Sequence, residues 1–184
     1  MCGHEAILAH ASWIDGTDEW SGWSPLPTIF GGFDSDPAAV ATTANGGILE
    51  TCAHNAGNRY VCATYSPTGG WNGWYWAGLQ DHAVAKPALV RSSYATYLLA
   101  VGYASPYHEY ASYSVNGWLS WTADVQVGSG YNFLLAPAAV AVTTSPTVFT
   151  VGRAGDSHFW FDTGSSAGWD GWTLIQAIYP YSSN

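Results

Sequence analysis

An all-β fold made of four-stranded units repeated around an axis is what this sequence predicts, and three observations predict it. A Trp-x-x-Trp element occurs four times, at Trp20-Ser-Gly-Trp23, Trp71-Asn-Gly-Trp74, Trp118-Leu-Ser-Trp121 and Trp169-Asp-Gly-Trp172, at spacings of 51, 47 and 51 residues. A second element follows each of the first three, at Pro37-Ala-Ala-Val40, Pro87-Ala-Leu-Val90 and Pro137-Ala-Ala-Val140. Aromatics make up 16% of the chain while charged residues make up 9%, against roughly 25% charged in an ordinary soluble protein. Glu, Lys and Arg are too scarce for a helical bundle, and the apolar content is too high for disorder. A period near 50 residues with turn residues throughout fits the blade of a β-propeller. The alternative is a β-trefoil, which has no natural place for a fourth Trp-x-x-Trp.

Each unit reads as four short strands. Strand a is the Pro-Ala run, at 37–43, 87–92 and 137–143. Its small residues suit a crowded axis, and its proline suits a strand start, where a missing N–H costs no ladder bond. Strand b is β-branched and aliphatic, at 48–54, 96–102 and 147–153. Strand c is aromatic, at 59–65, 107–113 and 158–162. Strand d carries the Trp pair. The links a–b, b–c and c–d are short and rich in Gly, Asn, Ser and Pro, as hairpins require. The d–a link is longer, as at 77–86.

The N-terminal stretch Ala6-Ile-Leu-Ala-His-Ala-Ser-Trp13 aligns with a strand c, and Trp20 to Trp23 with a strand d. The expected organisation is one repeat domain over 1–184, with a partial repeat at 1–36 and repeats at 37–86, 87–136 and 137–184. That is about three and a half blades, and it leads to the expectation of a homo-oligomer whose copies complete a larger propeller.

The formal net charge is −9, from 13 acids and 4 bases. Nucleic acid is a poor partner for such a chain, and Arg59, Lys86, Arg91 and Arg153 form no basic patch. Membrane insertion is not expected, because no run approaches the ~18 apolar residues of a spanning helix. The N-terminus, Met1-Cys2-Gly3-His4-Glu5, does not read as a signal peptide. Cys52 and Cys62 lie symmetrically about Gly57. Facing each other on a hairpin, they could form a disulfide or serve as two small buried hydrophobes, and both readings stay open.

Trp20-Ser-Gly-Trp23, Phe30-Gly-Gly-Phe33 and Asp36-Pro-Ala-Ala-Val40 together resemble the repeat of the Photorhabdus-type lectins, a family of seven-bladed propellers. Val148-Phe149 through Gly152-Arg153-Ala-Gly-Asp156 resembles the same family's strand b and the turn after it. The likeness is weaker in the second repeat, where Gly78-Leu79 stands in place of Gly-Gly. It implies a lectin that binds fucose and related neutral sugars in pockets between blades, here at about half the family's length.

The residues support that expectation on chemical grounds. A pyranose offers a C–H face that stacks on indole, and a few polar groups then fix its hydroxyls. The candidate carbohydrate-binding residues are Trp20, Trp23, Trp71, Trp74, Trp118, Trp121, Trp169 and Trp172, with Arg91 and Arg153. For each Trp, packing between blades is the competing role. For the arginines it is an ion pair with Asp36, Asp81 or Asp156. Trp13, Trp76 and Trp160 are expected to pack. His10, His108 and His158 precede the Trp pairs by 10, 10 and 11 residues and Arg59 by 12, which suggests one structural position on strand c.

No catalytic residue, metal site or cofactor is expected. Gly155-Asp-Ser-His158 cannot form a triad, because neighbouring strand residues point apart. Metal-ligand spacings are missing, and Asp34-Ser-Asp36 lacks the rest of a calcium loop. No acid repeats at one blade position with a partner, as glycoside hydrolysis would need. The alternative to a multivalent glycan-binding protein is a self-assembling structural propeller, forming a ring or filament without sugar binding.

Overall fold

The structure, a computed structural model, describes residues 9–10, 13–14, 19–20, 24–26, 32–42, 47–57, 59–79, 86–101, 107–116 and 119–175. Three antiparallel sheets follow one another along the chain. Blade I consists of β5 (Ala38–Thr42), β6 (Ile48–Asn55), β7 (Arg59–Ser66), β8 (Gly70–Trp71) and β9 (Tyr75–Trp76). Blade II consists of β10 (Ala88–Arg91), β11 (Thr96–Val101), β12 (Glu109–Ser114) and β13 (Val125–Gln126). Blade III consists of β14 (Ala138–Ala141), β15 (Val148–Arg153), β16 (Phe159–Ser165), β17 (Gly168–Trp169) and β18 (Thr173–Leu174).

Ahead of them, β1 (Ala9–His10) pairs with β4 (Ser24–Pro25), and β2 (Trp13–Ile14) with β3 (Glu19–Trp20). That is the c–d pairing the partial first repeat leads one to expect. Among the described strands every ladder closes within its own unit, which excludes the trefoil. The protein is a β-propeller. Among the described residues no helix is long and apolar enough to cross a membrane.

The innermost strands β5, β10 and β14 lie side by side, with β10 between the other two. Their alanines allow that approach. In blades I and III the first of these alanines is also held from strand b. Thr51 donates to the Ala38 carbonyl at 3.1 Å, and Thr150 makes the equivalent bond to Ala138 at 3.4 Å.

The core lies between blades rather than within any one sheet. Cys52, Tyr60 and Cys62 of blade I meet Leu89, Leu98 and Ala100 of blade II. On the opposite face of blade II, Val90, Tyr97, Leu99 and Ala111 meet Val148 of blade III. Strand β11 is buried at every residue because alternate side chains enter the two seams. A strand enclosed on both faces loses the polar–apolar alternation of a half-exposed one. Strand β15 keeps that alternation, since one face of blade III is open. Val140 is 62% exposed where its equivalent Val90 is 8% exposed.

Cys52 and Cys62 are directly opposed on β6 and β7 and form a disulfide, with Cα atoms 4.1 Å apart. It bridges the two central strands of blade I on the face that packs against blade II. Loop-closure entropy for a bridge of this span is worth about 2–3 kcal/mol. A Cys52→Ala, Cys62→Ala double variant is expected to lose about that much stability in urea titration. An unchanged midpoint would mean that the bridge constrains little.

Candidate functional site

The strand register places every described Trp within its blade. On strand d, the N–H groups of Asn72, Thr122 and Asp170 donate to Thr64, Tyr113 and Thr163 at 2.8, 3.0 and 2.8 Å. Further on, Ala77, Val127 and Ile175 donate to Tyr60, Glu109 and Phe159. Trp71, Trp121 and Trp169 therefore share one position. Three residues later, Trp74, Asp124 and Trp172 share the next.

This corrects the sequence alignment. Trp118–Trp121 is shifted by three against Trp71–Trp74, and Trp118 lies outside the described residues. Trp121 lies 50 residues after Trp71, the spacing of Pro87 from Pro37, so Trp118 corresponds in sequence to Thr68 and not to Trp71. The c–d link of blade II closes around Asn116, which accepts from Ser114 Oγ and Ser120 N and donates to Ser120 Oγ.

The two Trp positions do different work. Trp121 and Trp169 pack against the I/II and II/III seam cores respectively. At the second position, Trp74 meets Phe33 with ring centroids 4.8 Å apart, and Trp172 meets Phe133 at 4.4 Å. Trp172 Nε1 also donates across the seam to the Val127 carbonyl at 2.9 Å. In blade II the same place holds Asp124, whose Oδ1 accepts from Leu79 N at 2.5 Å. Leu79 is fully buried and sits at φ 66°. A side chain in that left-handed region costs about 1–2 kcal/mol, which burial of the Leu79 side chain and the Asp124 bond offset.

Beside Asp124 lies an open cleft of about 450 Å³ between blades I and II, lined by Trp76, Ala77, Gly78, Trp121, Thr122, Ala123 and Asp124. That volume is within the range of small-ligand sites. Trp76 does not pack as expected. It is on the outermost strand, 58% exposed, with the Arg59 guanidinium 3.5 Å from its ring centroid. A smaller cavity of about 150 Å³ lies in the II/III seam, lined in part by Tyr97, Tyr113, Ser166 and Trp169.

The remaining candidates are scattered. Trp71 packs on Tyr65 at 5.4 Å. Trp20 pairs through its backbone with Trp13, and Trp23 lies outside the described residues. Arg91 donates to Thr96 Oγ1 at 2.9 Å, opposite buried Glu50, and does not line the cleft. Burial raises the Glu50 pKa, against the pull of Thr96 and Arg91. Arg153 is exposed at the end of β15.

Arg59, His108 and His158 do share one position, three residues before Cys62, Ala111 and Phe161. His10 does not. Trp13 pairs with Trp20 as Tyr65 pairs with Trp71, so His10 matches Cys62. His108 is structural, with its Nδ1 3.0 Å from the Tyr131 carbonyl.

Sequence reasoning missed Asp124 and the exposure of Trp76. It also missed a pair of acids in the II/III seam, Glu109 and Asp162, both fully buried. Thr150 Oγ1 donates to Glu109 Oε1 at 2.6 Å, while Gly171 N and Thr163 N donate to Asp162 Oδ1. Burial drives the Glu109 pKa up to about 8, with Asp162 adding to the rise and the Thr150 bond opposing it. Burial likewise raises Asp162. Neither lines either of the two cavities described above.

Comparison with solved structures agrees with this geometry at the level of the fold. The BP39L lectin from Burkholderia pseudomallei superposes with a TM-score of 0.73 at 19% identity, over 89% of this chain and 48% of that one. AofleA from Arthrobotrys oligospora matches with a TM-score of 0.61 at 15% identity, over 93% and 50%. The six-bladed fucose-recognising lectin of Aleuria aurantia matches with a TM-score of 0.56 at 15% identity, over 97% and 54%. The chain spans about half the length of these structures. No family model and no curated protein matches it.

Glu109 gives the II/III seam a pH dependence. Below 4.5 it is protonated both folded and unfolded. Between 4.5 and about 8 only the unfolded chain ionises, so stability falls by about 1.4 kcal/mol per pH unit. Above that range the loss is complete. Glu109→Gln keeps an acceptor for Thr150 and does not titrate. Its melting temperature relative to the parent is expected to rise steadily from pH 5 to pH 8, and a pH-independent difference would contradict the assignment.

Proposed function

We propose that this chain is a non-catalytic carbohydrate-binding protein that takes neutral, fucose-like sugars between its blades. The observation that carries this reading is the open I/II cleft, where Trp76, Trp121 and Asp124 meet. An indole face accepts the C–H side of a pyranose, and a carboxylate accepts hydrogen bonds from its hydroxyls. The matched folds give support by analogy. Two of the three are lectins by name, and a mutant of the Aleuria aurantia lectin is known in complex with α-methyl-L-fucoside. The resemblance to the Photorhabdus-type repeat belongs to the same reading, although the number of blades is not carried over from it. Sites of this kind are weak singly and act on glycan arrays through avidity.

Trp76 is the informative position, because its exposure separates binding from stability. Trp76→Ala is expected to weaken binding of methyl α-L-fucoside about 5–10-fold by calorimetry, with little change in melting temperature. Unchanged affinity would remove this cleft from the function. No binding of any simple neutral sugar by the parent protein would remove the function itself.

The open face of blade III favours association between copies. Val140, Phe149 and Phe159 are exposed there, at the positions where blade II buries Val90, Tyr97 and Glu109. On this reading a second copy covers the face, and native mass spectrometry gives a multiple of the chain mass. A strictly monomeric mass at micromolar concentration refutes it. Filaments without sugar binding would instead establish the structural alternative.

A further inference from the structure

We propose that one residue position, occupied by Trp74, Asp124 and Trp172 in successive blades, decides whether a seam between blades is plugged or open to ligand. Taking the ligand to be a sugar rests on the function proposed above, whereas the plugging itself rests on geometry alone.

The two described seams can be compared residue by residue. In the II/III seam the end of strand d runs Gln126-Val127-Gly128, and Trp172 from the next blade lies against it. A Cβ built on Gly128 would fall 2.4 Å from Trp172 Cδ1, so only glycine leaves room for that indole. The ring is pinned by the 2.9 Å bond from Nε1 to the Val127 carbonyl and by Phe133, 4.4 Å away. Three contacts thus fill the place with protein.

In the I/II seam the same run is Trp76-Ala77-Gly78, and the residue facing it is Asp124. Its carboxylate is much smaller than an indole and is drawn to Leu79 N. In sequence the aromatic lid is not repeated, at a position that lies outside the described residues. Phe33 and Phe133 each stand four residues before their repeat proline, and the residue at that place before Pro87 is Ala83. Ala77 and Gly78, the counterparts of the residues Trp172 covers, here line the cleft of about 450 Å³.

The consequence is a valency set by substitution at one position. The indole of a plugged seam contributes to stability, and the carboxylate of an open seam contributes to recognition. The open seam suits a ring bearing hydroxyls for Asp124 and an apolar face for Trp76.

Two variants test this. Asp124→Trp places a plug in the open seam. The double change Phe133→Ala, Trp172→Asp gives the closed seam the side chains of the open one. Calorimetric stoichiometry for methyl α-L-fucoside is expected to fall by one equivalent per chain in the first and rise by one in the second. A readout that needs no sugar runs beside it: the H₂O/D₂O solvent shift of the Trp121 ¹⁹F resonance in 5-fluorotryptophan-labelled protein. That shift is expected to shrink in Asp124→Trp.

Unchanged stoichiometry together with an unchanged solvent shift overturns the proposal. A shrunken shift with no sugar bound by any variant upholds the plug and rejects the carbohydrate reading. If the double variant fails to fold, Asp124→Trp decides alone, because it fills existing space. If Asp124→Trp itself fails to fold, the place cannot accept an indole and the proposal is wrong.

Discussion

Burial between blades is the constraint on which the rest of the structure depends. A four-stranded sheet of this size has no interior of its own, so its apolar side chains must leave it through one face or the other. Strand β11 shows the result most clearly. Leu98 and Ala100 enter the seam with blade I, and Tyr97 and Leu99 enter the seam with blade III. At about 25 cal/mol per Å² of apolar area removed from water, the seams rather than the hydrogen-bond ladders hold the blades together. The disulfide, the alanine strands and the Trp positions all serve this one requirement. They stiffen a face, bring the inner edges together or fill the outer gap.

The same constraint explains where a binding site can form. Two twisted sheets that meet at an inner axis diverge towards their outer strands, so the outer part of each seam has to be filled or left open. Trp172 with Phe133 fills it. Asp124 does not, and the cleft beside Trp76 is the remainder. On the function proposed above, a binding site comes from relaxing one filler, and the repeat limits the cost, because strand pairing on either side is untouched. The Arg59 guanidinium on Trp76 keeps one face of an exposed indole covered without burying it, which is how a flat apolar surface persists at the rim.

Much of the fold was legible in the sequence because repetition makes weak signals add. The prolines at 37, 87 and 137 set the period, and the observed inner strands begin one residue after each. The Trp pairs were less reliable, because Trp118 forms a Trp-x-x-Trp with Trp121 that is out of register with the pair in blade I. Matching Trp118 to Trp71 hid the fact that Asp124 stands where a Trp is expected. Trp76 was misjudged for a different reason. Its burial depends on being outermost in its sheet, which hydrophobicity does not encode. Glu109 and Asp162 were invisible in principle, since they are 53 residues apart and meet only because adjacent blades put their c strands across one seam.

Those acids show that the low charge content reflects the core as well as the surface. The two seams each bury a glutamate, with opposite solutions. Glu50 sits opposite Thr96 and Arg91, which oppose the rise that burial causes, so its charge has a partner. Glu109 faces Thr150 and a second acid, and its neutral form is the stable one near neutrality. Removing one member of a buried charge pair usually costs several kcal/mol because the other is stranded. Glu109 avoids that cost by keeping its proton, and the formal charge of −9 therefore overstates the charge the folded protein carries. A propeller that puts its polar groups in seams has two ways to satisfy an acid there, a base or a proton. With only 4 basic residues in the chain, the proton is the more available one.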